Sequence, residues 1–430
     1  MTTPGWLRRA VPILKRPRAW IVPYLVLWLL VGMIPITETD LDLFFWPAVK
    51  IAVAGKPLLV YSAGSQSVYP DANGPVSLAP LTLAGIVANH FGWLGDTGKR
   101  RIVALELFSI FVMLMAFEAM AAIDRIRRKR VEGWMRLLGY GVFALAPTIW
   151  QSVSGYGHIE QPIEVWLLLV TTRFIARGWV VPAAIAFALA VLSRSMAGLM
   201  AIPFALALLR RGRVRFVAFF ATTAATGLAV LAPFYLADPP DLMHSLFTYR
   251  GRLPVGAGSI WSVATDPGAI AFVQRWDILF VVAVALTANL WLATRPGGFT
   301  DERLIGGMAL TAASFVMLAK TVWPYYFFEL FMLSTVWSAG RWRRDDGFAR
   351  LILPPIAIAV FGMLAEIGST PYLAHQLVAI NGGGMFLLVG LTALWLATGS
   401  RRSADGVPPD RVRVPAGSPV AEGALPPGTS

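Results

Sequence analysis

Cysteine is absent from this chain, which excludes disulfide bonds, thiolate metal sites and cysteine nucleophiles. Histidine is scarce as well, with four residues in the chain. They are scattered at positions 90, 158, 244 and 375. No HExxH pattern occurs among them, so the sequence gives poor support to a metal hydrolase. The glycine patterns GxxxxGK[ST] and GxGxxG after a strand are also missing, which argues against a nucleotide-binding fold and an ATP-driven pump.

Charged residues are few, at 14% of the 430 residues, whereas hydrophobic residues make up 57%. A soluble core cannot bury that much apolar surface, so lipid must cover part of it. Several apolar runs reach the roughly 18 residues needed to cross a bilayer. The composition therefore predicts an all-α, polytopic membrane protein with about twelve transmembrane helices, or about thirteen if residues 76–94 also cross. The predicted spans are 19–36, 102–123, 134–151, 162–177, 179–193, 196–209, 216–236, 276–294, 304–319, 325–340, 350–366 and 376–398.

Short basic clusters account for much of the formal net charge of +13, and they lie at residues 1–18, 125–130, 210–215 and 341–344. Because basic loops remain in the cytoplasm, these clusters predict a multi-pass protein of the cell membrane with both termini cytoplasmic. The long loops 37–75 and 237–275 then lie outside. Membrane orientation explains the charge, so membrane lipid is an expected partner and nucleic acid is not. The first apolar segment is predicted to be a retained signal anchor.

Residues 76–94 are apolar but complicate this orientation. If they crossed the membrane, either the basic residues 99–101 or the cluster 125–130 would lie on the wrong side, because only one span separates the two. Pro75 and Pro80 lie near the start of the segment. We therefore expect a re-entrant or interfacial helix here, with an additional span as the alternative.

Two acidic residues, Asp40 and Asp42, lie where the first predicted span leaves the membrane. They are followed by the amphipathic stretch 43–60, which is too interrupted to span but apolar enough to lie in the interface. Acidic residues at a helix end are common at membrane surfaces and need no function. A carboxylate held beneath an interfacial helix also suits a general base that acts on a lipid-borne substrate.

This first outer loop resembles the GT-C superfamily of integral membrane glycosyltransferases, in particular the glycosyltransferase family 87 type, which uses polyprenol-phosphate sugars. The resemblance rests on an aspartate after the first helix, aromatic residues soon after it, Gly55, PLLVY at 57–61 and YP at 69–70. It implies that Asp40 or Asp42 is the general base that deprotonates the acceptor hydroxyl. Asp71 stands where the family usually has a second proline, so Tyr69 and Asp71 become substrate-binding candidates, with a helix cap as the alternative for Asp71.

A second resemblance lies at 155–161, where GYGHIEQ is similar to the YGHFQ segment of the dolichol-dependent glucosyltransferase branch of the same superfamily. His158, Glu160 and Gln161 interrupt apolar sequence there. Polar groups at membrane depth are costly and are functional candidates, and these three supply both donors and acceptors for sugar hydroxyls. The alternative is a plain loop between two short helices.

A lipid-phosphate donor requires cations near the outer boundary of the membrane. Arg194 and Lys320 lie at predicted outer helix ends, where either can bind phosphate through charge-assisted hydrogen bonds. Arg250 and Arg252 lie in the second outer loop. For these cations the alternative is a side chain that merely reaches the interface. Tyr325 is a further substrate-binding candidate, although tyrosine is common in interfacial aromatic belts.

Together these features predict an inverting transfer of a hexose or pentose, such as mannose, from a polyprenyl monophosphate sugar to a lipid or glycan acceptor outside the cell membrane. No cofactor is expected besides the lipid-linked donor, and a divalent metal is compatible with this chemistry but not required. The predicted transferase domain covers residues 1–398, with its motifs in 19–210, and the Pro-, Gly- and Ser-rich residues 399–430 are predicted to form a disordered cytoplasmic tail. The rival functions are a polysaccharide polymerase or ligase, a transporter or flippase of lipid-linked sugars, and a non-catalytic scaffold.

Overall fold

The computed structural model describes residues 19, 21–32, 40–62, 73–132, 134–150, 152–153, 156–256, 259–294 and 299–341. Within these ranges every regular element is a helix and no strand occurs, so the predicted all-α class is confirmed. Several predictions lie outside the described residues. They are the spans 350–366 and 376–398, the tail 399–430, the basic cluster within 1–18, and the candidates Tyr69 and Asp71.

The described part of the chain is a succession of α-helices joined by short turns. The helices are α1 (Ile21–Gly32), α2 (Trp46–Val53), α3 (Pro75–His90), α4 (Thr97–Arg127), α5 (Trp134–Leu145), α6 (Pro147–Trp150), α7 (Glu160–Ala176), α8 (Val180–Ser193), α9 (Ala201–Arg211), α10 (Arg213–Ala237), α11 (Pro239–Met243), α12 (Tyr249–Arg252), α13 (Pro267–Thr294), α14 (Asp301–Leu318) and α15 (Phe327–Arg341). Turns of 3₁₀ or π geometry occupy Leu41–Phe45, Pro57–Ser62, Ser195–Met200, His244–Thr248, Ile260–Val263 and Pro324–Tyr326.

Three of the described helices, α4, α10 and α13, are long and apolar enough to cross a membrane. They contain 31, 25 and 28 residues. At about 1.5 Å per residue, each is longer than the ~30 Å hydrocarbon core of a bilayer. Large apolar side chains of α10 face outward, with Val214 82% and Leu236 81% exposed. Such a surface is unsuited to water, so these helices indicate a membrane protein.

Two of the predicted spans are interrupted in the structure. The segment 134–151 forms α5 and α6, which are separated at Ala146. Pro147 follows directly, and proline lacks the amide hydrogen that would continue the helix. The segment 196–209 begins as the 3₁₀ turn Ser195–Met200, so α9 has only 11 residues. Apolar composition predicted these segments, but local backbone chemistry divides them.

Helix α4 lies at the centre of the described bundle, because it packs against α1, α3, α5, α7, α14 and α15. Its buried side includes Phe108, Val112 and Met115. Small residues allow neighbouring helices to approach closely. A Cβ atom added to Gly340 of α15 would lie 2.8 Å from the side chain of Ile126 on α4. Helix α7, which begins within the GYGHIEQ segment, packs directly against this central helix.

Helix α3 forms most of the segment 76–94, for which the sequence left two membrane placements open. Near its start, Ser77 Oγ donates a hydrogen bond to Ser193 O at 3.4 Å. Beyond its end, Leu94 O accepts a hydrogen bond from Arg100 Nη1 at 3.4 Å, and Arg100 binds Asp42. Ser193 and Asp42 both lie at the end of the bundle that holds the charged cluster described below. These contacts join the start of α3, and the turn that follows it, to that end of the bundle.

Ion pairs gather at the opposite end of the bundle, where α4 ends and α14 begins. Arg125 lies 3.1 Å from Glu118 and 3.0 Å from Asp301, and Arg173 lies 2.7 Å from Glu118. Two further pairs at this end are Arg136 with Asp124 and Arg341 with Glu302. We call these eight residues the paired network. It joins α4, α5, α7, α14 and α15 at the end that carries the basic cluster 125–130.

Candidate active site

The two candidate bases have different surroundings. Asp40 immediately precedes the π turn Leu41–Phe45 and Asp42 lies within it, and side chains two positions apart on a helix do not face each other. Asp40 Oδ2 is 2.9 Å from His158 Nε2, and the Asp40 side chain is 26% exposed. Asp42 Oδ1 is 2.5 Å from Arg100 Nη2, and its side chain is only 5% exposed. The structure therefore brings Asp40, and not Asp42, to the predicted His158.

His158 lies between two carboxylates. Its Nδ1 is 2.6 Å from Glu160 Oε1 while its Nε2 faces Asp40. A neutral imidazole can donate to only one of these oxygens, whereas a protonated imidazole can donate to both. Burial by itself lowers the pKa of His158, but the charge of Glu160 and the hydrogen bonds to Asp40 and Glu160 outweigh it, so the pKa lies above its ordinary value. A protonated His158 can therefore hold Asp40 and Glu160 at the same time.

Gly157 explains how the chain brings His158 to Asp40. Its φ angle is +80°, a conformation that residues with a side chain rarely adopt. A Cβ atom at this position would lie 2.5 Å from Leu41 Cβ and 2.8 Å from Leu41 N. The connection before α7 can therefore lie directly against the turn after Asp40 only because residue 157 is glycine. The second glycine of GYGHIEQ thus has a structural reason.

Arg194 lies between α8 and the turn Ser195–Met200, and it is fully enclosed by other side chains. Its Nη1 is 2.7 Å from Glu329 Oε1 and 3.9 Å from Glu160 Oε1, and its Nε is 3.8 Å from Glu164 Oε2. Its guanidinium also lies over the ring of Tyr326, 5.2 Å from the centroid. Carboxylates already neutralise this cation, so a contact with a donor phosphate would require the site to open.

We call Asp40, His158, Glu160, Glu164, Arg194 and Glu329 the charged cluster. Glu164 was not among the site residues predicted from the sequence. The signal was present, because Glu164 follows Glu160 by four positions and residues at that spacing lie on one helix face. Its contact with Glu329 of α15 could not be read from the sequence, since that depends on how α7 and α15 pack.

Tyr325 and Gln161 link the members of the charged cluster. The ring of Tyr325 lies on the ring of His158, with centroids 3.6 Å apart at 30°. Gln161 Nε2 donates hydrogen bonds to Tyr325 O at 2.6 Å and to Glu329 Oε1 at 3.3 Å. Both residues were predicted to contact substrate. In the structure both are buried and hold the cluster together.

Lys320 is separate from these contacts. Its Nζ donates to Gly251 O at 2.8 Å and to Gln274 O at 2.9 Å, and its backbone N donates to Asp277 Oδ2 at 2.9 Å. The side chain is buried. Lys320 therefore fastens the second long loop to α13, and its charge is already bound by carbonyl groups.

The two loop arginines lie on α12. The ring of Tyr249, at the start of α12, packs against the ring of Phe44 with centroids 6.5 Å apart, so α12 lies beside the turn that follows Asp40. Arg252 is exposed. The side chain of Arg250 is outside the described residues. Arg252 is thus the candidate cation that the structure leaves accessible near the turn after Asp40.

Side-chain exposure decides where chemistry can occur. It falls from 26% at Asp40 to 10% at His158 and 1% at Glu160 and Arg194, so Asp40 is the member that an incoming hydroxyl can reach.

Among the described residues, no group of three or more histidine, aspartate or glutamate side chains is arranged to hold a metal ion. A comparison with protein-family models finds no match to this chain, and a comparison with curated proteins finds none either.

Proposed function

We propose that the chain is a membrane glycosyltransferase that moves a hexose or pentose, such as mannose, from a polyprenyl monophosphate sugar to a lipid or glycan acceptor. The observation that carries the proposal is the accessible carboxylate of Asp40, held 2.9 Å from His158 at the rim of a buried charged cluster. Charged groups at the edge of an apolar bundle are costly to bury, so a cluster with more acids than bases is a candidate functional site. A general base facing a lipid-borne substrate is such a purpose.

The proposed step is a single displacement. The acceptor hydroxyl oxygen attacks the anomeric carbon, and the bond from that carbon to the phosphate oxygen breaks. Asp40 takes the hydroxyl proton, and polyprenyl phosphate leaves with the bonding electrons. The configuration at the anomeric carbon is inverted. Because phosphate is already a good leaving group once its charge is neutralised, positioning of the two substrates and electrostatics supply most of the acceleration.

His158 and Glu160 position the base in this proposal. The contact between His158 Nε2 and Asp40 Oδ2 fixes the direction of the other Asp40 oxygen. Glu160 fixes the ring of His158 through the contact at Nδ1. Arg194 has a positioning role as well, because it lies in the interior of the site and orients Glu160 and Glu329.

The donor phosphate then needs a cation outside the charged cluster. Arg252 is exposed on α12, next to the turn after Asp40 through the packing of Tyr249 on Phe44. Arginine binds phosphate oxygens through two parallel hydrogen bonds. We therefore propose Arg252, with Arg250 beside it in the chain, as the phosphate-binding residues.

The proposed membrane arrangement has about twelve spans with Asp40 outside and both termini cytoplasmic. Three long apolar helices support membrane insertion. The separation of the two polar ends supports the orientation, because the paired network carries the basic residues of α4 while Asp40 lies at the opposite end. Cysteine accessibility tests this directly, since the native chain has no cysteine. A cysteine introduced at exposed Lys56 should react with an impermeant thiol reagent from outside the cell, and one at Lys129 should not.

The decisive experiment is a transfer assay with radiolabelled polyprenyl-phosphate mannose or arabinose and the purified, membrane-reconstituted chain. We expect a glycosylated acceptor of inverted configuration from the wild type and none from the double variant Asp40→Asn/Asp42→Asn. The matched control is Asp96→Asn, because Asp96 is an exposed helix cap. Full transfer by the double variant would reject the assignment of the base.

The same preparation separates the rival functions. A single added sugar per acceptor supports the transferase, whereas a ladder of products supports a polysaccharide polymerase or ligase. Movement of the labelled donor across the bilayer without any product supports a flippase. The arginines of the second long loop, Arg250, Arg252 and Arg275, are the feature that keeps the polymerase or ligase as the second candidate.

A further inference from the structure

The proposed reaction leaves two buried glutamates unused. Glu164 lies on α7 and Glu329 on α15, and both are fully buried. Their carboxyl groups are within hydrogen-bonding reach of each other. Two ionised carboxylates contain only acceptors, so a contact between them is repulsive unless a proton lies between the oxygens.

A count of donors shows what this pair lacks. Arg194 Nη1 and Gln161 Nε2 both approach Glu329 Oε1, at 2.7 Å and 3.3 Å. Arg194 Nε is 3.8 Å from Glu164 Oε2, which is too long for a hydrogen bond. Neither oxygen of Glu164, nor Glu329 Oε2, has a donor among the described residues. A buried carboxylate without a donor is strongly disfavoured, and one shared proton would supply what is missing.

The surrounding charges point the same way. The charged cluster contains four carboxylates against the two bases His158 and Arg194. If all of them were ionised, the cluster would carry two excess negative charges in surroundings of low dielectric constant. Such sites bind protons rather than keep every carboxylate ionised. A proton on the Glu164–Glu329 pair removes one of the two excess charges.

No other described charge replaces that proton. The titratable and charged groups that face Glu164 are Glu160, Arg194 and Glu329, and the ring of Tyr326 lies against Arg194, with its centroid 5.2 Å from the guanidinium carbon. Helices α4 and α14 also pack against α7 and carry ion-paired acids. These acids belong to the paired network at the opposite end of the bundle, and they are Glu118, Asp124, Asp301 and Glu302. Glu106 of α4 supplies no donor either, because one of its own oxygens is buried without a hydrogen-bond donor.

We propose that Glu164 and Glu329 form a buried proton-binding site that retains one proton at neutral pH and thereby fixes Arg194 within the charged cluster. The proton bridges α7 and α15 and leaves Arg194 paired with Glu329. Arg194 in turn faces Glu160, which holds His158 against Asp40. Glu164 and Glu329 are therefore positioning residues, and their effect on Asp40 rests on the proposed function, whereas the bound proton itself does not.

Infrared spectroscopy of the purified full-length chain measures this proton directly. A protonated carboxyl group has a carbonyl stretching band distinct from that of a carboxylate. We expect the wild type at neutral pH to show such a band, and Glu164→Gln and Glu329→Gln each to lose it, because the amide supplies the missing donor. Glu118→Gln is the matched control and should retain the band, since Glu118 is bound by two arginines. Absence of the band in the wild type, or its persistence in both cluster variants, would overturn the proposal.

Two further readouts identify a positioning role. Thermal stability should fall in Glu164→Ala and be restored in Glu164→Gln, because only the amide donates to Glu329. The alkaline decline of the transfer rate should be weaker in Glu164→Gln than in the wild type, because an amide does not lose its proton. An equally steep decline in both proteins would contradict the role.

The two proposals can fail independently. If the infrared band behaves as expected but no preparation transfers sugar, the proposed function fails and the proton site stands. Transfer of sugar without the band rejects the proton site alone.

Discussion

The paired network and the charged cluster are both made of partly or fully buried charged side chains, yet they differ in balance. In the paired network, four arginines meet four carboxylates at distances of 2.7–3.1 Å. In the charged cluster, one arginine and one histidine meet four carboxylates. Balanced pairs join helix ends without any need for chemistry. An unbalanced buried cluster costs stability and is expected where ionisation is put to use.

The two regions also differ in access to solvent. In the paired network, Arg125 and Arg173 reach out of the bundle while Glu118 is buried beneath them, so cations shield the acid. In the charged cluster the order is reversed, because the carboxylate of Asp40 is outermost and the cation His158 lies behind it. The first arrangement suits a basic surface that remains on the cytoplasmic side. The second suits the proposed role of Asp40 as a base that meets its substrate at the surface.

The largest expected difference between the regions comes from removing the cation of the charged cluster. Replacing His158 with alanine leaves Asp40 without its orienting partner, and we expect the transfer rate to fall by about 100-fold, within the range that a positioned acid or base contributes. His90→Ala is the control, because His90 is exposed at the end of α3. Transfer by His158→Ala at the wild-type rate would remove the distinction between the two regions.

Backbone geometry provides a second comparison, between the glycine that precedes α7 and the glycine that follows it. Gly157 and Gly178 have φ angles of +80° and +77°, but an added Cβ meets Leu41 only at Gly157 and meets nothing within 4 Å at Gly178. Alanine should cost about 1–2 kcal/mol of stability at each through backbone strain. Only Gly157→Ala should also displace His158, and we expect its transfer rate to fall at least tenfold. Equal rates in the two variants would show that the contact with Leu41 does not position the site.

A substitution in the paired network should have the opposite signature. Glu118→Gln leaves Arg125 and Arg173 with one carboxylate fewer, and we expect a loss of about 2 kcal/mol in unfolding free energy. The transfer rate per folded molecule should be unchanged, since Glu118 does not contact the charged cluster in the described structure. Thermal unfolding and the assay on the same preparation check both statements. A lowered rate in the folded fraction would mean that the two ends are coupled.

The smallest expected effect is a pH dependence of stability that belongs to His158. Because its pKa is raised in the folded protein, the folded chain holds a proton that the unfolded chain releases above about pH 6.5. The pairs with Asp40 and Glu160 therefore contribute stability that is complete below that pH and lost as pH rises through the folded pKa. The slope is at most about 1.4 kcal/mol per pH unit. Measured in the Glu164→Gln background, unfolding should show this decline, and His158→Gln should abolish it.

The sequence predicted the helical class and much of the long-helix pattern well, because long apolar runs determine both. The helices α4, α10 and α13 each cover and extend beyond a predicted span. It also selected His158, Glu160 and Gln161, because polar residues in apolar surroundings are conspicuous. Breaks within spans were harder to predict, since they depend on single residues such as Pro147.

Partners within the site could not be predicted in the same way. Asp40 and Asp42 are equivalent in sequence, and only the turn Leu41–Phe45 directs one to His158 and the other to Arg100. The surroundings of Arg194 depend on three glutamates from two helices, and sequence spacing relates only the two on α7. Charge and position suggested phosphate binding for Arg194, whereas packing supplies its carboxylate neighbours.

The proposed base is tested most directly by a comparison of Asp40→Asn with Asp42→Asn in the transfer assay. We expect Asp40→Asn to fold normally and to lose about 10²–10⁴-fold in transfer rate, because the base is gone. Asp42→Asn leaves Arg100 without its carboxylate, so it should be less stable but transfer sugar within a few-fold of the wild-type rate per folded molecule. The reverse result, with Asp40→Asn active and folded Asp42→Asn inactive, would contradict the assignment of the charged cluster as the active site.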